Sequence, residues 1–424
     1  MKWRALAFLS VAKLLAMGLW FSASAVMPAL AAEWSLDVSG QAWLTMSVQI
    51  GFVVGAFVSA LFTLPDVMNA RHLFAICAIL GAGCNALIGL FGNSLETTLV
   101  LRFLTGAFLA GVYPPGMKIM ASWFREGRGM AIGLLVGALT VGSASPHLLK
   151  TFGSLPWRHL MLVSSGAACV GGVICAAFVG DGPHQAKSAR FSWAAVGAAL
   201  GNRGARLATL GYLGHMWELY AVWAWIPVFL AASFGASGMT NAVSAAALMS
   251  FVVIASGGLG SAVAGVAADR HGRTTITILS MAISGACCIV IGLFYRGPPI
   301  VVGGVALVWG LVIVADSAQF SAALTELADA EYVGTVLTMQ TCLGFLLTMA
   351  SIRLIPTAFD FVGWRWTFAL LAPGPALGII AMYTLRRSPM AERIGGVQID
   401  ADTYVRDFVT ERDFVETAMG MFLQ

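Results

Sequence analysis

Residues 265–273 read Gly-Val-Ala-Ala-Asp-Arg-His-Gly-Arg and separate two long apolar runs, 241–264 and 274–295. A helix of about twenty apolar residues crosses the roughly 30 Å hydrocarbon core of a bilayer. Two such runs joined by a short charged turn therefore predict a pair of antiparallel membrane helices. Apolar runs of similar length continue on both sides of this pair, which indicates a polytopic helical membrane protein.

The composition supports that class. Of the 424 residues, 59% are hydrophobic and 10% are charged, whereas a soluble domain has about 25% charged residues. The net charge of +4 says little, because the positions of the charges matter more than their sum. These values exclude a soluble domain, and we expect no nucleic-acid partner.

Twelve apolar spans of about twenty residues can be drawn along the chain. Their number and length predict an all-α protein with twelve transmembrane helices. The predicted spans are 9–31, 42–64, 73–92, 97–121, 129–152, 159–180, 206–232, 241–264, 274–295, 300–324, 333–356 and 366–385.

The distribution of Lys and Arg predicts the orientation of these spans. One set of connections holds fourteen of these residues and the opposite set holds four, and the basic side of a membrane protein faces the cytoplasm. Both termini are therefore predicted to be cytoplasmic, and we expect a bacterial inner membrane. The basic set is Lys2, Arg4, Arg71, Arg125, Arg128, Lys187, Arg190, Arg203, Arg206, Arg270, Arg273, Arg386, Arg387 and Arg393, and the opposite set is Lys150, Arg158, Arg296 and Arg365.

The two halves of the chain share sequence features at equivalent positions. A Trp-Arg pair opens the sixth span at Trp157 and the twelfth at Trp364, 207 residues later. Asp66 follows the second span and Asp269 follows the eighth, 203 residues later. Similar offsets at equivalent spans predict a duplicated six-helix unit. The predicted organisation is a first bundle at 1–180, a cytoplasmic linker at 181–205 with a short surface helix at 191–200, a second bundle at 206–387 and a cytoplasmic tail at 388–424.

Residues 265–273 resemble the loop signature of the major facilitator superfamily, Gly-x-x-x-Asp-Arg-x-Gly-Arg. Arg102-Phe-Leu-Thr-Gly106 in the fourth span is similar to the Arg-x-x-x-Gly motif of that superfamily, which is often tied to proton coupling. Residues 123–129, Trp-Phe-Arg-Glu-Gly-Arg-Gly, resemble its link between the fourth and fifth spans. Ala138 follows Gly137 where many drug-efflux antiporters have a Gly-Pro pair, and this departure disfavours efflux.

The resemblance covers residues 5–387 and implies two pseudo-symmetric six-helix bundles that expose a central site alternately to each side. It implies that spans 1, 4, 7 and 10 line the central cavity. It also implies a gating role for the loop residues after the eighth span and for a weaker copy after the second span. These residues are Gly265, Asp269, Arg270, Gly272 and Arg273, with Asp66 and Arg71 in the weaker copy.

Of the charged residues inside the predicted spans, five fall within spans 1, 4, 7 and 10, whereas Lys150, Arg206 and Arg353 lie at or close to the ends of spans 5, 7 and 11. An ionisable group in hydrocarbon costs roughly 2.5–3.5 kcal/mol on insertion scales, so it normally faces a wet cavity or a partner. A structural alternative exists for each one: lysines near a span end can reach the interface, and mid-span acids can form structural ion pairs. The five residues are Lys13, Arg102, Lys118, Glu218 and Asp316.

Glu218 and Asp316 are the strongest functional candidates, because both lie near mid-span and carboxylates are too short to reach the interface. His215 precedes Glu218 by three residues and shares its helix face. We predict proton coupling through Glu218 near His215, or through Asp316 near Arg102 or Lys13. The candidates for substrate binding are Arg102, Tyr212, His215, Trp217, Glu218, Tyr220, Asp316, Gln319, Lys13 and Gln340.

The favoured hypothesis is proton-coupled uptake of a small organic anion or zwitterionic metabolite by a monomer embedded in the bilayer. Movement of a cation, an amine or a metal ion is the alternative within transport. A membrane sensor or assembly factor that carries no solute is the alternative of another class, and the charged tail at 388–424 is the feature that favours it. The chain has no Walker loop, zinc motif or Gly-x-Ser-x-Gly sequence, so we expect no enzyme activity and no cofactor.

Overall fold

The computed structural model describes residues 1–124, 128–151, 156–184, 191–328 and 332–394. The side chains of Val38, Asp66, Arg128, Lys150 and Thr151 are outside this description. All regular structure in the described residues is helical. Residues 185–190 of the predicted linker and 395–424 of the predicted tail lie outside the described residues.

Ten helices precede the linker. Several are short because two predicted spans of this half, the first and the fourth, are interrupted. The helices are α1 (Lys2–Met17), α2 (Ser22–Ala25), α3 (Met27–Trp34), α4 (Val38–Leu61), α5 (Leu64–Val67), α6 (Ala70–Phe91), α7 (Leu95–Leu109), α8 (Tyr113–Trp123), α9 (Arg128–Thr151) and α10 (Trp157–Phe178).

Eight further helices follow. The first of them confirms the short helix predicted in the linker. They are α11 (Trp193–Gly201), α12 (Arg203–Ala236), α13 (Ala242–His271), α14 (Arg273–Leu293), α15 (Pro299–Ile313), α16 (Ser317–Leu327), α17 (Val333–Thr367) and α18 (Pro373–Arg386), and 3₁₀ turns follow at Phe368–Leu371 and Pro389–Arg393.

The protein is a multi-pass integral membrane protein. Ten helical ranges in the described residues are long and apolar enough to cross a membrane. One of them, Val333–Arg386, is 54 residues long and contains both the eleventh and the twelfth predicted spans. The first predicted span is not among the ten, because α1, α2 and α3 are separate and short. The number of twelve spans and their orientation stay predictions.

The helix surfaces that face outward carry large apolar side chains. Ile300, Phe361, Leu377 and Leu259 are each at least 64% exposed. Extended apolar surface of this kind marks contact with a membrane.

Three interruptions divide spans that carry the buried charges. The chain leaves helical geometry between α1 and α2, between α7 and α8, and between α15 and α16. The second break directly precedes Pro114 and Pro115 at the start of α8, where proline fits because the first helical N–H groups need no partner. Asp316 lies in the third break, as the residue before α16.

Two helix pairs join the first half of the chain to the second. Helix α9 packs along α13, where a Cβ atom on Gly137 would lie 3.1 Å from the carbonyl oxygen of Gly258. Helix α4 packs on α17, and the Thr348 hydroxyl donates to Gln49 Oε1 at 2.7 Å. Buried side chains of both halves fill the space between these pairs.

Candidate functional site

A cavity of about 50 Å³ lies between the two halves. Trp20, Phe52 and Tyr113 line it from the first half. The aromatic rings from the second half are Tyr212, Tyr220, Trp223 and Phe345. The predicted candidates Tyr212 and Tyr220 therefore contribute to one central site.

Four of these rings form a cluster that crosses between the halves. The Trp20 centroid lies 5.1 Å from Phe52, 5.7 Å from Tyr220 and 5.4 Å from Phe345. Phe345 also lies 4.7 Å from Phe52 and 4.9 Å from Tyr220. Such pairs contribute about 0.5–1.5 kcal/mol each beyond their buried area. The sequence indicated none of the cross-half pairs, because ring partners far apart along the chain leave no local pattern.

Lys13 points inward beside this cavity. The residue is fully buried, and its Nζ atom lies 4.3 Å from the centroid of the Tyr113 ring and 3.9 Å from Met117 Sδ. Met17, one turn along α1, lines the cavity. No described carboxylate forms an ion pair with Lys13. Lys13 therefore does not extend to the membrane interface, which was the structural alternative that the sequence left open.

Arg102 binds the backbone at the break in the first span. Its Nη1 atom donates to the carbonyl of Leu19 at 2.8 Å and to the Ser22 hydroxyl at 3.3 Å, and Nη2 donates to the carbonyl of Trp20. These carbonyls are free because α1 ends at Met17, and helix ends leave carbonyl groups without intrahelical partners. Arg102 therefore holds the broken backbone that positions Trp20, and it does not line the cavity.

His215 pairs with Asp316 next to the cavity. The distance between His215 Nδ1 and Asp316 Oδ1 is 2.9 Å, and both side chains are at least 97% buried. His215 Nε2 has no hydrogen-bond partner in the described residues. Met216 and Ser317, the residues that follow the two members of this pair, line the cavity. The prediction that Asp316 lies near Arg102 or Lys13 is therefore wrong. The described partner of Asp316 is His215, and Arg102 and Lys13 have the partners given above.

Glu218 lies inside the second half, away from the cavity lining. Its Oε1 atom accepts hydrogen bonds from the Ser284 hydroxyl and from Trp309 Nε1, and the Cys288 thiol lies 3.4 Å away. Helix α12 contacts α14 and α15 here, whereas His215 faces the break before α16. Although they share a helix face, Glu218 and His215 therefore have separate partners. The sequence did not indicate Ser284, Cys288 or Trp309, which are 66 to 91 residues away.

Three further predicted candidates also lie outside the cavity lining. Trp217 packs against α18, where a Cβ atom on Gly374 would lie 2.6 Å from the Trp217 ring. Gln319 accepts a hydrogen bond from Arg273 at 2.8 Å. Gln340 lines a second cavity of about 20 Å³, which α11, α12 and α17 enclose.

The loop at 265–273 forms a turn that connects with α16. Gly272 has φ 88° and ψ 141°, and Arg273 begins α14. The Arg273 guanidinium contacts both oxygens of Glu326 at 2.8–3.1 Å and lies 3.8 Å from Asp269. Arg270 is exposed and Gly265 is buried. Through Glu326 and Gln319, Arg273 is bound to α16, the helix that follows Asp316.

The corresponding loop of the first half is built differently. Arg71 Nη1 donates to the carbonyl of Val179 at 3.5 Å, and Asn69 Nδ2 donates to Asp181 at 2.8 Å. The side chain of Asp66 is outside the described residues. In this copy the described side chains contact the end of α10 and the start of the linker.

The described residues contain no group of three His, Cys, Asp or Glu side chains that could hold a metal ion. The geometry of the described residues therefore gives no support to the alternative hypothesis that the protein transports a metal ion.

Residues 9–352 match the family model described as Major Facilitator Superfamily. The chain is 28% identical over 144 residues to the 4-hydroxybenzoate transporter PcaK of Pseudomonas aeruginosa, which is 32% of this chain and 31% of that protein. It is 28% identical over 136 residues to the D-galactonate transporter of Escherichia coli O6:H1, which is 30% of this chain and 31% of that protein. The matched stretches thus span about a third of the length of these two relatives.

A crystal structure of a mutant of the nucleoside transporter NupG has a similar fold. The TM-score is 0.68 at 14% sequence identity, and the match covers 90% of this chain and 99% of that chain. At this level of identity the likeness concerns the fold alone.

Proposed function

The chain belongs to the Major Facilitator Superfamily, and on that premise we propose that it carries a small organic anion across the membrane. The site is the central cavity, and the two halves, 1–180 and 206–387, expose it alternately to each side. Proton movement drives uptake. The chain acts as a monomeric carrier rather than an enzyme, in a bacterial inner membrane.

The burial of Lys13 carries the proposal. Its ammonium group has only an aromatic face and a thioether as described neighbours. Burial of a charge is costly unless the charge is paired and hydrogen-bonded, and a cation on an aromatic face gains only about 0.5–2 kcal/mol. A carboxylate on the solute supplies the missing negative charge. Two of the relatives transport organic acids by name, 4-hydroxybenzoate and D-galactonate, which supports this solute class.

Proton coupling is assigned to the acids of the second half. His215 and Asp316 adjoin the cavity and exchange a proton when the solute site opens and closes. Glu218 is buried and has no described cation within ion-pair distance, so it is assigned as a second protonatable group. The loop at 265–273 is the gate, because Arg273 connects it through Gln319 and Glu326 to α16, the helix that follows Asp316.

Replacement of Lys13 tests the solute class. We expect Lys13→Met to lower organic-anion uptake into proteoliposomes at subsaturating concentration by at least about thirtyfold, since an unpaired charge partner costs 2–5 kcal/mol. Lys13→Arg keeps the charge and should retain part of the uptake. Lys2 is the matched control, because it is an exposed lysine on the same helix and also lies over aromatic rings. Uptake that survives Lys13→Met, or that Lys2→Met lowers equally, contradicts the proposal.

A further inference from the structure

Aromatic rings from both halves form the walls of the central cavity. The ring-to-ring distances in the cluster of Trp20, Phe52, Tyr220 and Phe345 are 4.7–5.7 Å where the rings contact each other. Aromatic pairs favour offset and edge-to-face arrangements with centroids 4.5–7 Å apart. A flat ring that enters between the halves can therefore replace some of these contacts with equivalent ones.

The polar groups that line the cavity are uncharged. They are the hydroxyls of Ser317, Ser321 and Thr341, those of the lining tyrosines, and the indole N–H groups of Trp20 and Trp223, which have no hydrogen-bond partner in the described residues. Among the described residues that line it, none carries a carboxylate, amide, guanidinium, imidazole or ammonium group. The other lining side chains are apolar, and a solute hydroxyl that is buried against them without a partner weakens binding. The lining therefore favours a solute with an apolar body.

One positive charge lies behind this wall. Lys13 Nζ is 4.3 Å from the centroid of Tyr113, which lines the cavity. Its nearest described polar contact is the thioether of Met117 at 3.9 Å. Arg102 is also buried nearby but donates to backbone carbonyls, whereas Lys13 has no described oxygen partner. One buried ammonium group without such a partner matches a solute with a single carboxylate.

We propose that the transported solute is an aromatic monocarboxylate. Its ring binds among Trp20, Phe52 and Phe345, and its carboxylate pairs with Lys13. This inference rests on the proposed organic-anion transport and names the class of anion. The cavity of about 50 Å³ is smaller than the roughly 150 Å³ that admits benzene in an engineered apolar cavity. The ring therefore enters when the halves separate, and the aromatic cluster closes over it.

The first test measures which of several solutes the unmodified protein prefers. Uptake of radiolabelled benzoate into proteoliposomes is measured against competing cyclohexanecarboxylate, D-gluconate and benzylamine. We expect benzoate to compete about two- to tenfold better than cyclohexanecarboxylate, which has the same charge without the aromatic face. D-Gluconate should compete far more weakly. If D-gluconate matches or exceeds benzoate, the aromatic class is wrong and the proposed organic-anion transport stands. If only benzylamine is carried, the proposed function itself fails.

The second test asks whether the aromatic ring of the solute binds against Phe345. Phe345→Leu should lower the ratio of benzoate to cyclohexanecarboxylate uptake severalfold while cyclohexanecarboxylate is still carried. The ratio is measured within one protein preparation, so a reduced amount of folded protein does not change it. Phe361→Leu is the control, because Phe361 is 84% exposed. An unchanged ratio in Phe345→Leu overturns the proposed ring position.

Discussion

For the charged residues inside the spans, the position in the sequence predicted burial but did not predict the contacts that each side chain makes. Lys13, Arg102, Glu218 and Asp316 are all buried, as their positions in apolar spans predict. Their partners were not predictable, because Arg102 binds backbone carbonyls 82 and 83 residues away. Carbonyl acceptors of this kind are created by a helix break, which residue types alone do not reveal. The sequence thus located the charges and left their functions undecided.

The proposed coupling predicts different outcomes for the two buried acids. Asp316→Asn removes the negative charge beside His215 while it keeps a side chain of the same size. We expect a pH gradient to cease driving accumulation, because the pair can no longer exchange a proton, while exchange of solute across the membrane continues. Glu218→Gln should also lose proton-driven accumulation, and it should unfold near the wild-type temperature because the amide oxygen still accepts from Ser284 and Trp309.

Measurements of uptake with and without an imposed pH gradient, together with thermal unfolding, test this prediction. Asp360→Asn is the control, because Asp360 is exposed. If both Asp316→Asn and Glu218→Gln accumulate solute like the unmodified protein, the coupling assignment is wrong.

At the scale of the elements, uninterrupted helices lie close to the predicted bounds of their apolar runs. The run predicted at 274–295 corresponds to α14, which ends at Leu293, and the run at 73–92 corresponds to α6, which ends at Phe91. The first, fourth and tenth predicted spans are the exceptions, and in the first α1 ends at Met17 and α2 and α3 follow. Hydropathy alone does not show this break, because Arg102 and Ser22 provide the polar contacts that stabilise it.

Gly272 offers a test at the turn between α13 and α14. Its φ of 88° and ψ of 141° lie in a region that residues with a Cβ atom rarely adopt. We expect Gly272→Ala to destabilise this turn by about 1–3 kcal/mol and to weaken the contact of Arg273 with Glu326. We expect a clear loss of initial uptake rate with only a modest fall in the unfolding temperature, because this turn is part of the proposed gate.

Thermal unfolding and initial uptake rates of Gly272→Ala give the comparison. Gly166→Ala is the control, because nothing lies within 4 Å of a Cβ atom built at Gly166. Wild-type uptake by Gly272→Ala would show that the turn has no gating role.

At the scale of the whole molecule, the two halves meet mainly through α9 with α13 and α4 with α17. The duplicated pattern predicted two halves, and the resemblance predicted a cavity between them. The sequence did not predict the small size of the cavity, since ring packing across the halves depends on distances that only the folded chain defines. Small residues at the α9–α13 contact allow the backbones to approach closely.

Gly258 tests whether this close contact is needed for transport. A Cβ atom on Gly258 would lie 3.0 Å from the carbonyl oxygen of Gly137 and 3.1 Å from its Cα atom. Gly258→Leu must therefore push α9 away from α13, and overpacking of this kind costs about 1–3 kcal/mol. We expect a lower unfolding temperature and slower uptake, because the two halves can no longer close over the solute. Gly83→Leu is the matched control, since nothing lies within 4 Å of a Cβ atom at Gly83. If Gly258→Leu transports and unfolds like the unmodified protein, the two halves do not need this contact, and closure must depend on α4 and α17 instead.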